Sequence, residues 1–173
     1  MVTVVNKLFT IITPQAPARI QAWFGQKDAE QLAVIRRMVT DLNHPVEIRS
    51  LPIVRESSGL AQSSRNQRLS YRERQQAAAL SAALFQLRDR AAQGQRLEVD
   101  GVVAQLNLAE GVDLDYLVVV DPTTLLEIGP GAEPTAGSGA LLTGGVRLTE
   151  DEVLQGRALA LIAARAGSVR LID

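Results

Sequence analysis

The chain has no cysteine and only one histidine, His44, among its 173 residues. Without cysteine it can form neither a disulfide nor a thiolate metal site, and this composition favours a cytoplasmic protein. A single histidine argues against a Ser-His-Asp catalytic site elsewhere in the chain and against a metal site built from several histidines. We therefore expect no metal ion held by the protein's own side chains.

Aromatic residues are also scarce, at 3%, whereas hydrophobic residues make up 46% of the chain. The core must therefore consist of leucine, valine, isoleucine and alanine, and disorder is not expected. No apolar run approaches the length of a membrane span. The net charge of −1 argues against binding to nucleic acid or a membrane surface through bulk charge, although not against a local basic site.

The N-terminal part alternates between helix and strand signals. Apolar residues at helical spacing predict a helix over residues 2–12, and the run AWFG, which ends at Gly25, predicts the end of a buried strand. Asp28 opens a second helix, and Asn43-His44-Pro45 ends it, with His44 as a helix-end residue. PVEIRSLPIVRE indicates one or two strands, so the order is that of an α/β parallel sheet. The predicted apolar face of the second helix comprises Leu32, Ile35, Met38, Val39 and Leu42.

The clearest helix follows an S-x-x-E capping box formed by Ser70 and Glu73, and Gly94 ends it. Its predicted apolar stripe is Ala77, Leu80, Leu84, Leu87 and Ala91. A weaker helix is predicted at about residues 98–108. VDLDYLVVVD is a predicted strand, with one face formed by Leu114, Tyr116, Val118 and Val120.

Two later segments are less regular. GPGAEPTAGSGALLTGG, residues 129–145, is rich in glycine and proline and is predicted to be a mobile loop. The tail RALALIAARAGSVRLID fits a helix after TEDE, and it also fits a hairpin that turns around Ala-Gly. The residues alone leave both interpretations of the tail open.

A strand end, a glycine and a helix start converge in FGQKDAEQ, residues 24–31. Backbone N–H groups at a helix start attract anions, Gly25 would let a ligand approach the backbone, and Lys27 supplies a positive charge for phosphate. The alternative interpretation is purely structural. In it, Asp28 and Gln31 form a capping box and no ligand is involved.

The second polar stretch is GLAQSSRNQRLS, residues 59–70. Ser63 and Ser64 offer hydroxyl donors, and Arg65 offers a planar guanidinium that suits phosphate oxygens. The alternative is a solvated polar loop that leads to the Ser70 cap. The surrounding arginines are Arg55, Arg68, Arg72 and Arg74.

Together and in this order, the two stretches resemble the pantothenate synthetases, the AMP-forming pantoate–β-alanine ligases. FGQKDAEQ matches the Phe-Gly-x-Lys-Asp-x-x-Gln block of that family. PIVRESSGLAQSSRN matches its Pro-x-Val-Arg-Glu-x-x-Gly-Leu-Ala-x-Ser-Ser-Arg-Asn block at the family's separation. VVNKLF, DYL and GSVRLID also fit, so the resemblance covers most of the chain outside the Gly-rich loop.

The resemblance implies an α/β fold in two parts. Residues 1–54 would be the C-terminal part of a Rossmann-like nucleotide-binding domain, and residues 55–173 a small α+β domain with an antiparallel sheet that carries the Ser-Ser-Arg-Asn loop. For the tail, the resemblance favours the hairpin. The implied enzyme is cytoplasmic, has no nucleic-acid or membrane partner, and is a homodimer at full length.

The implied reaction joins pantoate to β-alanine through a pantoyl adenylate, with ATP and Mg²⁺, in the biosynthesis of pantothenate and coenzyme A. Lys27 would contact phosphate, Asp28 would lie near the ribose, Val54 would line the adenine side, and Gln31 would bind pantoate. The implied ATP-binding residues are Gly25, Gln26, Lys27, Asp28, Val54, Gln62, Ser63, Ser64 and Arg65. Those implied to assist catalysis are Lys27, Ser63, Ser64 and Arg65.

The chain also departs from the family pattern. It lacks the His-x-Gly-His motif and the second pantoate-binding glutamine of the family's first half, and His44 precedes a proline in a turn, so it cannot supply that motif. Gln62 stands where methionine is usual. We therefore expect the chain alone to be incomplete, and the ending RLID is compatible with continuation into a cytidylate kinase, as in cyanobacterial enzymes of the family.

Two other functions are considered. The chain could be a non-catalytic remnant or a partner half that needs another chain, which would explain the missing motif. It could instead be an RNA-binding module that uses the arginine-rich residues 55–74. The second is disfavoured because Tyr71 is the only aromatic residue nearby that could stack on bases.

Overall fold

The computed structural model describes residues 1–15, 19–128, 139–147 and 153–173 of the chain. The elements of its N-terminal part are α1 (Val2–Ile12), β1 (Ile20–Gly25), α2 (Ala29–Asp41) and β2 (Val46–Leu51). The two strands are parallel and pair in register from Ile20 with Val46 to Gly25 with Leu51. The predicted order of helix, strand, helix and strand is confirmed, and so is the parallel sheet.

A small apolar cluster joins α1 and α2 above the parallel sheet. Val5 and Phe9 of α1 and Ile35 of α2 are buried against one another. His44, in the turn after α2, lies edge-on to the Phe9 ring, with ring centroids 5.9 Å apart. Its Nε2 lies 2.8 Å from Oδ1 of Asn6. His44 is therefore a structural residue at the end of a helix, as predicted.

The longest helix, α3 (Tyr71–Ala92), begins at the predicted capping box. The Ser70 hydroxyl accepts a hydrogen bond from the backbone N–H of Glu73 at 3.3 Å, and the Glu73 carboxylate accepts one from the backbone N–H of Ser70 at 2.7 Å. The helix ends before Gly94, whose φ of +66° suits glycine. The predicted stripe is buried: Ala77, Leu80, Leu84, Leu87 and Ala91.

The rest of the chain forms a second helix and an antiparallel sheet. Its elements are α4 (Val99–Asn107), β3 (Val112–Val120), β4 (Gly139–Arg147), β5 (Val153–Ala166) and β6 (Val169–Ile172). The long strand β5 pairs with β3, β4 and β6. Helices α3 and α4 cover one face of this sheet and bury Ala160, Ile162 and Ala164 of β5. The β5–β6 hairpin at Gly167 confirms one interpretation of the tail, and the helical interpretation is wrong.

An irregularity in β3 changes which of its side chains share a face. The pairing of β3 with β5 shifts register between Leu114 and Tyr116. As a result Leu114 packs against the helix-covered core, whereas Tyr116, Val118 and Val120 pack in a separate cluster with Ala29. The prediction that all four residues share one face is therefore wrong for Leu114, because a bulge interrupts the two-residue alternation of a strand.

Two further predictions fail locally. Leu42, predicted on the buried face of α2, is 52% exposed, because the helix ends at Asp41 and Leu42 is its C-cap. The predicted mobile loop is wrong for residues 139–145, which belong to β4 and pair with β5. The remainder of that prediction, at residues 129–138, lies outside the described residues.

The two parts of the chain meet at the start of α2. Ala29, the first residue of that helix, is buried with Val120 of β3 and Leu161 of β5. Because Lys27 and Asp28 directly precede Ala29, this contact places their turn beside the antiparallel sheet.

Candidate active site

Lys27 lies half-buried in the turn between β1 and α2. The preceding residue, Gln26, is held on two sides: its backbone N–H donates to the carbonyl of Leu51 at 2.9 Å, and its side-chain Nε2 donates to Oγ of Ser50 at 3.2 Å. A Cβ atom built on Gly25 would meet no atom within 4 Å, so the space beside this turn is open to a ligand.

Asp28 occupies the N-cap position of α2, but its side chain makes no capping hydrogen bond. The purely structural interpretation, in which Asp28 and Gln31 form a capping box, is therefore wrong. The backbone of Asp28 has φ −93° and ψ 70°, whereas a capping residue usually has an extended backbone. Both the Asp28 carboxylate and the first N–H groups of α2 thus stay available to a ligand.

The serine-rich motif forms a turn followed by a short 3-10 helix, Ser64–Arg68. The Oγ of Ser63 accepts a hydrogen bond from the backbone N–H of Arg65 at 3.2 Å. Before it, the backbone N–H of Gln62 donates to the carbonyl of Val54 at 2.8 Å. The arrangement holds the two serines and Arg65 in one tight segment at the protein surface.

Asn66 anchors this segment to the protein. Its Nδ2 donates to the Glu56 carboxylate at 2.8 Å and to the carbonyl of Ala61 at 3.0 Å. Arg74 of α3 donates to the backbone carbonyl of Asn66 at 2.8 Å and lies 3.4 Å from the Glu56 carboxylate. This anchoring role could not be predicted from the sequence, because only the packing of α3 brings Arg74 and Glu56 to Asn66.

One cleft joins the two motifs. Lys27 from the first motif lines it together with Ser63 and Arg65 from the second, and residues 170–173 form another part of its wall. A neighbouring cleft shares Ser63 and also has Gln62 and Ser64 in its lining. The predicted phosphate-binding side chains are therefore close together, whereas Gln31 and Val54 line neither cleft.

The electrostatics of the cleft centre on Lys27, whose pKa is lowered from its ordinary value. Burial is the largest cause; the Arg65 cation also lowers this pKa, whereas the carboxylates of Asp28 and Asp173 raise it. Two cations therefore act on each other across the cleft. A bound anion such as a phosphate would stabilise both of them.

The arginines around this motif differ in what they contact. Three of them form ion pairs with acidic residues: Arg55 with Asp173, Arg72 with Glu110, and Arg74 with Glu56. Arg65 and Arg68 form no ion pair within the part of the chain that the structure describes. Most of the basic segment is thus engaged internally, which argues against its use as an RNA-binding surface.

The described ranges contain neither a metal-binding cluster nor a membrane-spanning helix. No group of three or more acidic residues or histidines in residues 1–15, 19–128, 139–147 and 153–173 could hold a metal ion. In the same residues, every helix is too short or too polar to cross a membrane.

Comparisons with known proteins agree on one family. The whole chain, residues 1–173, matches the family model described as pantoate-beta-alanine ligase. A pantothenate synthetase of Corynebacterium efficiens is 47% identical over 171 residues, which cover 99% of this chain and 51% of that protein. A bifunctional pantoate ligase/cytidylate kinase of Trichormus variabilis is 40% identical over 174 residues, covering 99% of this chain and 27% of that protein.

A solved structure gives the same result. The crystal structure of pantothenate synthetase from Thermus thermophilus is similar with a TM-score of 0.72 and 37% identity, and the match covers 99% of this chain and 53% of that one. The chain therefore spans about half the length of the pantothenate synthetases that it matches.

Proposed function

This chain belongs to the pantoate–β-alanine ligase family, and we propose that it carries part of the site for the ATP-dependent condensation of pantoate with β-alanine to pantothenate. The observation that supports this most directly is the cleft that Lys27, Ser63 and Arg65 line together. These side chains come from two separate motifs, and each can bind a phosphate oxygen. A ligase that activates a carboxylate with ATP needs such a site to hold the triphosphate.

In the proposed reaction, the pantoate carboxylate attacks the α-phosphate of ATP, which gives pantoyl adenylate and pyrophosphate. Negative charge grows on the phosphate oxygens and on the leaving pyrophosphate. Lys27 and Arg65 stabilise this charge, and the hydroxyls of Ser63 and Ser64 donate hydrogen bonds to it. The amine of β-alanine then attacks the adenylate carbonyl carbon and AMP leaves, so no side chain has to form a covalent intermediate.

Magnesium enters this proposal as part of the substrate, Mg-ATP. The described residues contain no acidic or histidine cluster that could hold a metal ion. We therefore assign the ligands of the ion to the triphosphate oxygens and to water, which Mg²⁺ commonly keeps.

We assign the remaining predicted residues to the nucleotide and to pantoate. We assign Asp28 to the ribose, because its exposed carboxylate makes no capping hydrogen bond. Gln62 belongs to the phosphate-binding segment, Val54 to the adenine side and Gln31 to pantoate. Gly25 and Gln26 complete the nucleotide contacts at the end of β1.

The complete reaction, on this proposal, needs polypeptide beyond these 173 residues. The chain spans about half of its relatives and contains a single histidine, so it has no His-x-Gly-His motif. Residues 1–54 would belong to a Rossmann-like nucleotide-binding domain. The two parallel strands of the described residues would then be part of a larger sheet, since a sheet of only two strands is too small to be stable alone. The complete enzyme would be a cytoplasmic homodimer. The second candidate, a half-site that binds nucleotide only with a partner chain, rests on the same missing motif.

A titration with Mg-ATP tests the proposal. Trp23 is the only tryptophan, is 56% exposed, and lies on β1 close to Gly25, so its fluorescence should report binding. We expect a saturable change that Arg65→Ala weakens or abolishes. Glu110→Gln is the control, because it alters an exposed ion pair away from the cleft. Absence of any saturable signal, by fluorescence and by calorimetry, would favour the second candidate.

A further inference from the structure

Asp173, which follows β6, is a charged residue with only 2% of its surface exposed. Its carboxylate accepts a hydrogen bond from each terminal nitrogen of Arg55, with Nη2 at 2.8 Å from Oδ1. Its backbone N–H and carbonyl each pair with Ile162 of β5 at 3.0 Å. The position of this carboxylate is therefore set from two directions, by the sheet and by Arg55.

Arg55 connects the carboxylate to the predicted phosphate-binding segment. Its Nη1 also donates to the carbonyl of Gly59 at 3.1 Å, and its guanidinium lies 5.0 Å from the ring centroid of Phe85. Its backbone forms an isolated β-bridge with Ala61, shortly before Ser63. Any movement of Arg55 would thus displace the start of that segment.

Asp173 also faces Lys27. Both residues line the cleft that contains Arg65. Burial and the Arg65 cation disfavour the charged form of Lys27, whereas Asp28 and, to a smaller extent, the Asp173 carboxylate favour it. The other charged groups here are Asp28, beside Lys27 on the same turn, and Arg170, on the cleft wall. No ion pair holds Lys27 within the part of the chain that the structure describes.

We propose that Asp173 is a positioning residue of the phosphate site: held by Arg55 on the wall of the cleft, its carboxylate stabilises the Lys27 ammonium beside Arg65. Its negative charge offsets the repulsion between two cations that must both be charged to bind phosphate. Because its two oxygens are committed to Arg55, it does not form a salt bridge with Lys27 that would compete with the ligand. This inference extends the proposed phosphate role of Lys27 and rests on it.

The chain offers a direct test, because it contains only two lysines, Lys27 and the exposed Lys7. NMR of isotope-labelled lysine side chains should therefore show two titrating signals, one of them an internal reference. We expect the Lys27 midpoint to move to lower pH in Asp173→Asn, because the variant loses a charge that stabilises the ammonium.

A matched control and a second variant test whether the change at Lys27 comes from the Asp173 carboxylate. Glu110→Gln removes an exposed carboxylate that pairs with Arg72, and it should move neither lysine. Since Asp173→Asn leaves Arg55 without its partner, the double variant Arg55→Gln/Asp173→Asn replaces the ion pair by two amides that can hydrogen-bond each other. It should lower the Lys27 midpoint by less than Asp173→Asn does, because it also removes the Arg55 cation, whose charge opposes that of Asp173. An unchanged Lys27 midpoint in either folded variant would overturn the proposal.

The same samples distinguish this inference from the proposed function. Mg-ATP should raise the Lys27 midpoint of the unmodified protein, because phosphate stabilises the charged lysine. If Mg-ATP has no effect while Asp173→Asn still lowers the midpoint, the positioning role stands and nucleotide binding by this chain alone fails. The reverse pattern would support nucleotide binding and remove the role of Asp173.

Discussion

Burial lowers the pKa of Lys27, and the Arg65 cation lowers it further across a cleft that both side chains line, although the two residues belong to different motifs. Bringing two cations together in a partly buried place costs free energy, and a bound polyphosphate would offset that cost. Neither residue has an ion-pair partner in the described ranges. This pair is therefore the most informative place to perturb the site.

Substituting either cation should weaken Mg-ATP binding. A charge-assisted hydrogen bond contributes roughly 1.5–3 kcal/mol, so Lys27→Ala or Arg65→Ala should raise the Kd by about tenfold to a hundredfold. Isothermal titration calorimetry measures this directly. Arg68→Ala is the matched control, since Arg68 lies on the same 3-10 helix but does not line the cleft. Equal losses in Arg65→Ala and Arg68→Ala would indicate only non-specific charge attraction.

Mg-ATP affinity should fall at alkaline pH. The pKa of Lys27 lies below its ordinary value of 10.5, mainly because of burial, and bound phosphate would raise it. The affinity for Mg-ATP is therefore highest below the Lys27 pKa of the free protein, and it declines as pH rises through that pKa. Calorimetry between about pH 7 and pH 10 would show the decline. Lys27→Met should bind weakly with a flatter profile, and a flat profile for the unmodified protein would contradict the role of Lys27.

Breaking the Arg55–Asp173 pair should destabilise the fold. The Asp173 side chain is 3% exposed and that of Arg55 is 17% exposed, so Arg55→Met leaves a buried carboxylate without a partner. Removing one member of a buried pair costs about 3–5 kcal/mol, and we expect a loss of that order in urea unfolding. Replacing both residues, as Arg55→Met/Asp173→Leu, should recover much of it. Full stability of Arg55→Met would show that Asp173 finds another partner.

The glycine of the β5–β6 turn should be intolerant of alanine. Gly167 has φ +56°, and a Cβ there would lie 1.8 Å from Oε1 of Glu73. Glu73 cannot easily move, because its carboxylate completes the capping box of α3. We expect Gly167→Ala to lower the free energy of unfolding by more than about 1 kcal/mol. Gly101→Ala, inside α4, should instead raise it by about 0.5–1 kcal/mol, and similar effects at both sites would refute the steric argument.

Glu73 should also make stability depend on acid pH. Its pKa is lowered by hydrogen bonds from the backbone N–H and the hydroxyl of Ser70. A carboxyl whose pKa is lower in the folded protein than in the unfolded chain stabilises the fold above the unfolded pKa, and this contribution disappears as pH falls through the folded pKa. Glu73→Gln should therefore be less stable than the unmodified protein at neutral pH. This difference in the free energy of unfolding should become smaller as the pH falls. Urea unfolding at several pH values measures it.

The candidate site was only partly predictable. Lys27, Ser63 and Arg65 stand in motifs that can be read directly from the sequence, and the structure brings all three to one cleft. Asn66 and Asp173 were not given a role, although both line that cleft. Their partners come from α3, from the turn after β2 and from the sheet, and no local pattern in the sequence indicates which of these segments will meet.

For the fold, too, some features could be predicted from the sequence and others could not. Local sequence signals are enough to specify the Ser70–Glu73 capping box, the stripe of α3 and the helix over residues 2–12, because capping and helical periodicity act within a few residues. Long-range packing was needed to establish that residues 139–147 form a strand, that the tail is a hairpin, and that β3 bulges near Leu114. Each of these features depends on pairing with β5, and strand pairing between distant segments leaves little trace in the sequence of either segment.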